Sequence, residues 1–239
     1  MTDPLLSALL LAAVAGISIP LGAWLGSVPR LVPGWMEEEF RHSVVAVGGG
    51  ALFSAIALVL VPEGADLVPP VAAVVLLGAG GLCFYAIERF LMSRGGHAAQ
   101  FLAMMLDYLP EAAALGALVT GRRSEAVMMA GIIMLQNLPE AFNAYRELEE
   151  GHRVSRRRQL TFFALMVPLG PLAAWIGMAV LSGRDLILGG LMLFSAGGLL
   201  YLIFQDIAPN VRLERHWGPP LGAVGGFLLG FAGHLATGG

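Results

Sequence analysis

The sequence predicts an all-α, polytopic membrane protein with about eight transmembrane helices, arranged as a single domain over residues 1–239. Hydrophobic residues make up 57% of the chain and charged residues only 13%. A surface in contact with water needs more polar side chains than this, so the lipid bilayer is expected to cover most of the outside. The apolar stretches are continuous and do not alternate with a period of two, which favours helices over the strands of a membrane barrel.

Eight apolar stretches are long enough to cross a bilayer, because a helical span needs about 20 mostly apolar residues. They cover residues 5–25, 43–61, 67–92, 99–119, 125–147, 160–181, 186–207 and 219–236. No positive charge precedes the first stretch, and it runs past the length of a signal peptide. We therefore expect it to be a retained first span.

The basic residues predict the orientation of these spans. All 14 are arginine, and cytoplasmic loops of membrane proteins are enriched in arginine and lysine. The loops after the odd-numbered spans hold Arg30, Arg41, Arg89, Arg94, Arg146, Arg153, Arg156, Arg157, Arg158, Arg212 and Arg215, and the other side holds Arg122, Arg123 and Arg184. Both termini are thus expected to be extracytoplasmic, in a multi-pass protein of the cell membrane. The loop at 153–158 is expected to be cytoplasmic, as a topology anchor or as a patch for anionic lipid or a partner.

Charge and cysteine content narrow the function classes further. The formal net charge is -3, and no basic face with interleaved aromatic residues is present, so nucleic-acid binding is not expected. Cys83 lies inside an apolar run, where a buried structural thiol is the expected role.

A seven-residue motif occurs twice. Residues 106–112 read LDYLPEA and residues 135–141 read LQNLPEA, with five of the seven positions identical. The copies lie on spans four and five, which a short loop makes antiparallel neighbours. A weaker similarity links Gly49-Gly50 and Pro62-Glu63 of span two to Gly197-Gly198 and Pro209-Asn210 of span seven. This pattern predicts an inverted repeat in a three-two-three (3+2+3) arrangement of the spans.

The repeated motif carries the polar residues that are most costly to place in a membrane. Asp107 and Glu111 are four residues apart and share one face of span four, and Gln136 and Glu140 do the same on span five, with Asn137 beside them. These carboxylates and amides form an oxygen-rich, anionic group that suits a divalent cation. Without a cation, three buried carboxylates would repel one another or take up protons. Hydrogen bonding between helices alone stays open as the alternative role.

At these residues the chain resembles the Zrt/Irt-like (ZIP) metal transporter family. That family has a His-Asn-x-Pro-Glu-Gly type motif in its fourth span and a related motif in its fifth, and residues 107–112 and 136–141 look like them. The resemblance implies a single ZIP-like transmembrane domain that moves a divalent metal ion, as substrate, toward the cytoplasm. It also implies that spans one, four, five and six slide against the others, where glycine pairs in spans two, three and seven are expected to permit close contacts.

Several positions depart from the family pattern. Asp107 stands where the family usually has His, Tyr108 where it has Asn, and Asn137 where it has an acid. Val167 likewise replaces a carboxylate in a segment of span six that resembles Glu-Pro-Leu-Gly. One metal position is therefore expected instead of two, made by Asp107, Glu111, Gln136 and Glu140 with Asn137 adjacent. Without the imidazole, the site is expected to prefer metals that bind oxygen more than a His-containing site would, and zinc is disfavoured but not excluded. Zn, Mn and Fe therefore all remain candidate substrates.

Other readings of the sequence stay open or are disfavoured. A metal-binding sensor or scaffold that has lost transport is the alternative function, since so many ligands have changed. An intramembrane hydrolase with Glu111 and Glu140 as paired acid and base is disfavoured, because no His-Glu-x-x-His or nucleophile motif accompanies them. The chain is thus not expected to be an enzyme. Glu88, Arg89 and Asp206 are expected near the cytoplasmic interface, in a gate or in helix-end pairing. A homodimer stays open as a further assembly.

Overall fold

The computed structural model describes residues 3–28, 36–92, 99–150, 155–212 and 217–237, and every regular element within these ranges is helical. The predicted all-α class is therefore confirmed. The helices are α1 (Pro4–Gly26), α2 (Glu37–Leu67), α3 (Pro70–Met92), α4 (Ala99–Leu118), α5 (Arg123–Glu150), α6 (Arg156–Leu181), α7 (Asp185–Val211) and α8 (Pro219–Thr237).

Six of these helices are long and apolar enough to cross a membrane, which makes the chain a multi-pass membrane protein. They are α1, α2, α3, α6, α7 and α8. The remaining two, α4 and α5, are the helices that carry the repeated motif. The prediction of eight crossings stays a prediction for this pair.

Three of the long helices are irregular. In α2 and α7 a π-helical turn, at Ile56–Leu60 and Ile203–Ile207, comes directly before the segment that holds Pro62 or Pro209. In α6 the α-helical pattern breaks at Val167 and Pro168, where a proline cannot donate a backbone hydrogen bond. Helix α2 also begins at Glu37, ahead of the predicted start at 43, because three glutamates in its first turn favour the positive end of the helix dipole.

The helices pack in pairs, and α2 and α7 lie at the centre of the fold. Helix α2 packs on α8, α3 on α7, α1 on α5 and α4 on α6, while α5 also contacts α2 and α4. In the most apolar windows of α2 and α7, 61% of residues are buried, against 11% in α3 and 17% in α8. Helices α3 and α8 therefore lie at the outside of the bundle, and they cover α2 and α7.

Glycines bring the backbones of two of these pairs into direct contact. A Cβ atom at any of four glycines would overlap a carbonyl oxygen of the facing helix. These contacts are Gly50 with Ala223, Gly226 with Val47, Gly80 with Phe194, and Gly197 with Leu77. The glycines thus join α2 to α8 and α3 to α7. The expected close contacts of glycines in spans two, three and seven are present, but at Gly50, Gly80 and Gly197 they are with α8, α7 and α3 rather than with α1, α4, α5 or α6.

Candidate functional site

The two copies of the motif meet in the protein interior. The side-chain Nε2 of Gln136 donates hydrogen bonds to Asp107 Oδ2 at 3.1 Å and to Glu111 Oε2 at 2.7 Å. None of these three side chains is more than 2% exposed. The antiparallel packing of α4 and α5 therefore places the polar face of one motif against the polar face of the other.

Glu140 completes this group from one turn further along α5. It lines a small cavity of about 50 Å³ together with Asp107. Asn137 is fully buried, yet neither that cavity nor a hydrogen bond in the described ranges connects it to the other four residues. The structure thus brings Asp107, Glu111, Gln136 and Glu140 together and leaves Asn137 beside them.

Several oxygen atoms of the site have no hydrogen-bond partner in the described part of the chain. They are Asp107 Oδ1, Gln136 Oε1 and Glu140 Oε2, and both side-chain polar atoms of Asn137 are equally unpartnered. A buried polar atom without a partner costs roughly 1–3 kcal/mol, so such atoms need a specific explanation. Oxygen atoms with free lone pairs in a buried anionic site are the ligands that a hard divalent cation takes.

Tyr108 fills the space next to this site. Its side chain is fully buried, and a Cβ atom at Gly16 of α1 or at Gly170 of α6 would overlap its hydroxyl. The ring therefore occupies the junction of α1, α4 and the break in α6. Val167, the other apolar departure from the family pattern, lies at the same break. Bulky side chains therefore fill this junction, and the expectation of one metal position stays a prediction.

The site connects to one end of the helix bundle through two adjoining cavities. The small cavity at Asp107 and Glu140 shares Asn143, Asp206 and Ile207 with a second cavity of about 180 Å³. The second cavity is lined at its other end by Arg41, His42, Arg146, Glu147 and Asn210. This is the arginine-rich end, and its cytoplasmic location stays a prediction.

Asn143 and Glu147 are two residues of this route that the sequence analysis missed. With Gln136 and Glu140 they follow the spacing of one helix face, at 136, 140, 143 and 147. That spacing was the signal that could have found them. Asp206, expected at a helix end, lines both cavities, and it interacts with Glu88 of α3. Arg89, which was expected in the same place, donates a hydrogen bond to Tyr85 Oη at 3.1 Å.

The histidines that the structure describes are not part of the group formed by Asp107, Glu111, Gln136 and Glu140. His97, His152 and His216 lie outside the described residues. His42 Nδ1 contacts the carbonyl oxygen of Asn210, and His234 Nδ1 lies 3.3 Å from Met128 Sδ. Within the described ranges, no three His, Cys, Asp or Glu side chains form a ready-made metal group.

Compared with known proteins, the chain matches no family model and no curated protein. The functional assignment consequently depends on the chain's own residues and their geometry.

Proposed function

We propose that this protein is a ZIP-like transporter that moves a divalent metal ion toward the cytoplasm. One observation carries the proposal: two antiparallel copies of one motif join Asp107, Glu111 and Gln136 in a buried network. Discontinuous or proline-containing helices at the junction of two repeats are where transporters bind their substrates. Pro110 and Pro139 supply that feature here, inside α4 and α5.

The ligand chemistry favours a hard or borderline metal ion as substrate. Carboxylate and amide oxygens suit Mn²⁺ and Fe²⁺ and also accept Zn²⁺. For a cation to bind, Gln136 must turn its amide, so that Oε1 replaces the N–H groups that now face Asp107 and Glu111. Glu140 then supplies a third carboxylate from the wall of the same cavity.

The packing of the helices supports an inverted 3+2+3 repeat with eight spans. In such a repeat α1, α2 and α3 correspond to α6, α7 and α8, and α4 corresponds to α5. The pair of α2 and α8 then corresponds to the pair of α7 and α3. The pair of α1 and α5 likewise corresponds to the pair of α6 and α4, and all four pairs occur. The π-helical turns of α2 and α7 correspond as well, at Ile56–Leu60 and Ile203–Ile207.

The closest backbone contacts support a division into two bodies, which we call the transport bundle (α1, α4, α5 and α6) and the scaffold (α2, α3, α7 and α8). Within the bundle, Cβ atoms at Gly22, Gly116 and Gly177 would overlap carbonyls of Leu138, Ala174 and Ala113. Within the scaffold, the glycine contacts described above join α2 to α8 and α3 to α7. Across the boundary, Gly48 faces the side chain of Pro139. Backbone contacts inside each body and side-chain contacts between them favour movement of one body against the other.

The test is metal uptake by purified protein in liposomes, measured for Mn²⁺ and Zn²⁺ with the wild type and with Glu111→Gln. We expect uptake by the wild type and at least a tenfold loss in Glu111→Gln, because the change removes a charged ligand from the site. Binding should be lost in parallel. Glu125→Gln, which makes the same change in the first turn of α5 and away from the site, serves as the matched control and should retain uptake.

The alternative function, a sensor or scaffold, predicts a different result in the same experiment. It requires metal binding by the wild type, loss of that binding in Glu111→Gln, and no uptake by either protein. If Glu111→Gln and the wild type bind metal equally, the polar network serves only to join α4 and α5, and both proposals are wrong.

A further inference from the structure

An ion pair joins two distant parts of the chain at the end of the molecule opposite the cavities. The guanidinium of Arg122 donates from Nη1 to Glu63 Oε2. Arg122 lies directly before α5, in the link from α4, and Glu63 lies near the end of α2. The side chains are 37% and 24% exposed, so the pair is at the surface but partly shielded from water.

The pair crosses the boundary between the two bodies. Arg122 belongs to the link between the two site helices of the transport bundle, whereas Glu63 belongs to the scaffold. The ion pair of Arg146 with Glu149, by contrast, stays within α5. In the same structure the cavities that reach Asp107 and Glu140 open at the arginine-rich end. The ion pair therefore fastens the bundle to the scaffold at one end while the site communicates with the other end.

We propose that the Arg122 and Glu63 pair is an outer latch, which holds the extracytoplasmic side closed and breaks whenever the site turns outward. The inference rests on the proposed function, because alternate opening of the two sides has a purpose only in a transporter. A partly exposed ion pair contributes modestly to stability, which suits a contact that must break and re-form in each cycle.

Accessibility of the outer half of α4 tests this latch. Leu115 shares a helix face with Glu111, one turn nearer the outer end, and is fully buried. The reporter is therefore Leu115→Cys in a Cys83→Ser background, labelled with a membrane-impermeant maleimide from the extracytoplasmic side. We expect the reporter to be labelled about two- to fivefold faster when Glu63→Gln or Arg122→Gln is added to this parent. Loss of an ion pair of this exposure should raise the population of the form open to the outside by about that factor.

Two further variants make the result specific to the pair. Arg184→Gln removes an exposed arginine from the same predicted side and should label at the parent rate. The double variant Glu63→Arg with Arg122→Glu restores opposite charges and should return labelling toward that rate. The latch is overturned if the single variants label like the parent, or if the double variant labels as fast as they do.

The labelling experiment uses no metal, which separates this proposal from the one it rests on. If the single variants label faster but the wild type carries no Mn²⁺ or Zn²⁺ into liposomes, the outer opening exists and the transport proposal fails. If the wild type carries metal while labelling stays unchanged in the variants, transport stands and the latch is wrong.

Discussion

At the scale of single residues, the amide of Gln136 determines what the site can hold. Its N–H groups face Asp107 and Glu111, and its Oε1 has no partner among the described residues. The amide thus provides donors that partly offset the two carboxylates when no cation is present. Turned the other way, the same group would offer its Oε1 to the proposed cation.

Changing Gln136 to Glu should make folding stability depend on metal. The variant loses both donors and adds a like charge beside Asp107 and Glu111, so we expect a loss of roughly 1–3 kcal/mol in the absence of metal. If a divalent cation binds the folded state as proposed, it should restore the lost stability, since it supplies the missing positive charge. Thermal unfolding in detergent, with and without Mn²⁺, measures both effects.

Asn137→Asp is the matched control, because it makes the equivalent change at the neighbouring buried amide. We expect a similar loss of stability, since the side chain has no hydrogen-bond partner among the described residues that could compensate a charge. Mn²⁺ should not restore it if Asn137 lies outside the site. Equal recovery of the two variants would show that Asn137 reaches the cation after all.

The sequence predicted part of this site because spacing on a helix is a local property. Asp107 and Glu111, or Gln136 and Glu140, share a face wherever the helix lies, and the duplicated motif indicated that the two faces meet. The position of Tyr108 was not predictable in the same way. It depends on how closely α1 and α6 approach at Gly16 and Gly170, which are far apart in sequence. Asn143 was missed because a single amide on a helix is common, and only its spacing from Gln136 and Glu140 distinguishes it.

At the scale of helices, the glycines of this chain occupy two different environments. Gly50 touches the backbone of α8, whereas a Cβ atom at Gly131 of α5 would meet nothing within 4 Å among the described residues beyond its own stretch of helix. Hydropathy predicts the helices that contain both residues but cannot distinguish the two positions, because the difference lies in the neighbouring helix. The π-helical turns of α2 and α7 escape prediction for a similar reason, since no single residue type requires them.

Gly50→Ala should destabilise the protein by about 1–3 kcal/mol, because its methyl group forces α2 away from α8. Gly131→Ala provides the matched comparison within the same fold. It should be neutral or stabilise the protein by up to about 1 kcal/mol, since alanine is the better helix former and has space there. Unfolding by denaturant in mixed micelles gives both values. Equal effects of the two changes would mean that α2 and α8 are not in backbone contact.

At the scale of the whole molecule, the open question is whether α4 and α5 cross the membrane. We expect a small epitope inserted at Gly121, in the link between them, to be accessible only from the extracytoplasmic side. An epitope at Ser155 should be accessible only from the cytoplasm, and one at the C-terminus only from outside. Antibody binding to intact and permeabilised cells makes the comparison, and Gly121 has free space around it for an insertion.

Protection of the Gly121 epitope from both sides would indicate a re-entrant pair of helices instead of two spans. Exposure on the same side as Ser155 would contradict the orientation derived from the arginines. The six other helices are unaffected by either result, because their length and apolar composition are sufficient for crossing.

The hydrogen bonds of Gln136 also bear on how a carrier resets. After release of its cargo, the proposed transport bundle has to travel back through the membrane with Asp107, Glu111 and Glu140 empty. Uncompensated carboxylates would make that return step slow, since low-dielectric surroundings penalise exposed charge. In the proposed transporter, an amide that donates to two of them would lower this barrier. The return step of the proposed cycle would then depend less on a counter-transported ion than it would with three carboxylates and no neighbouring donor.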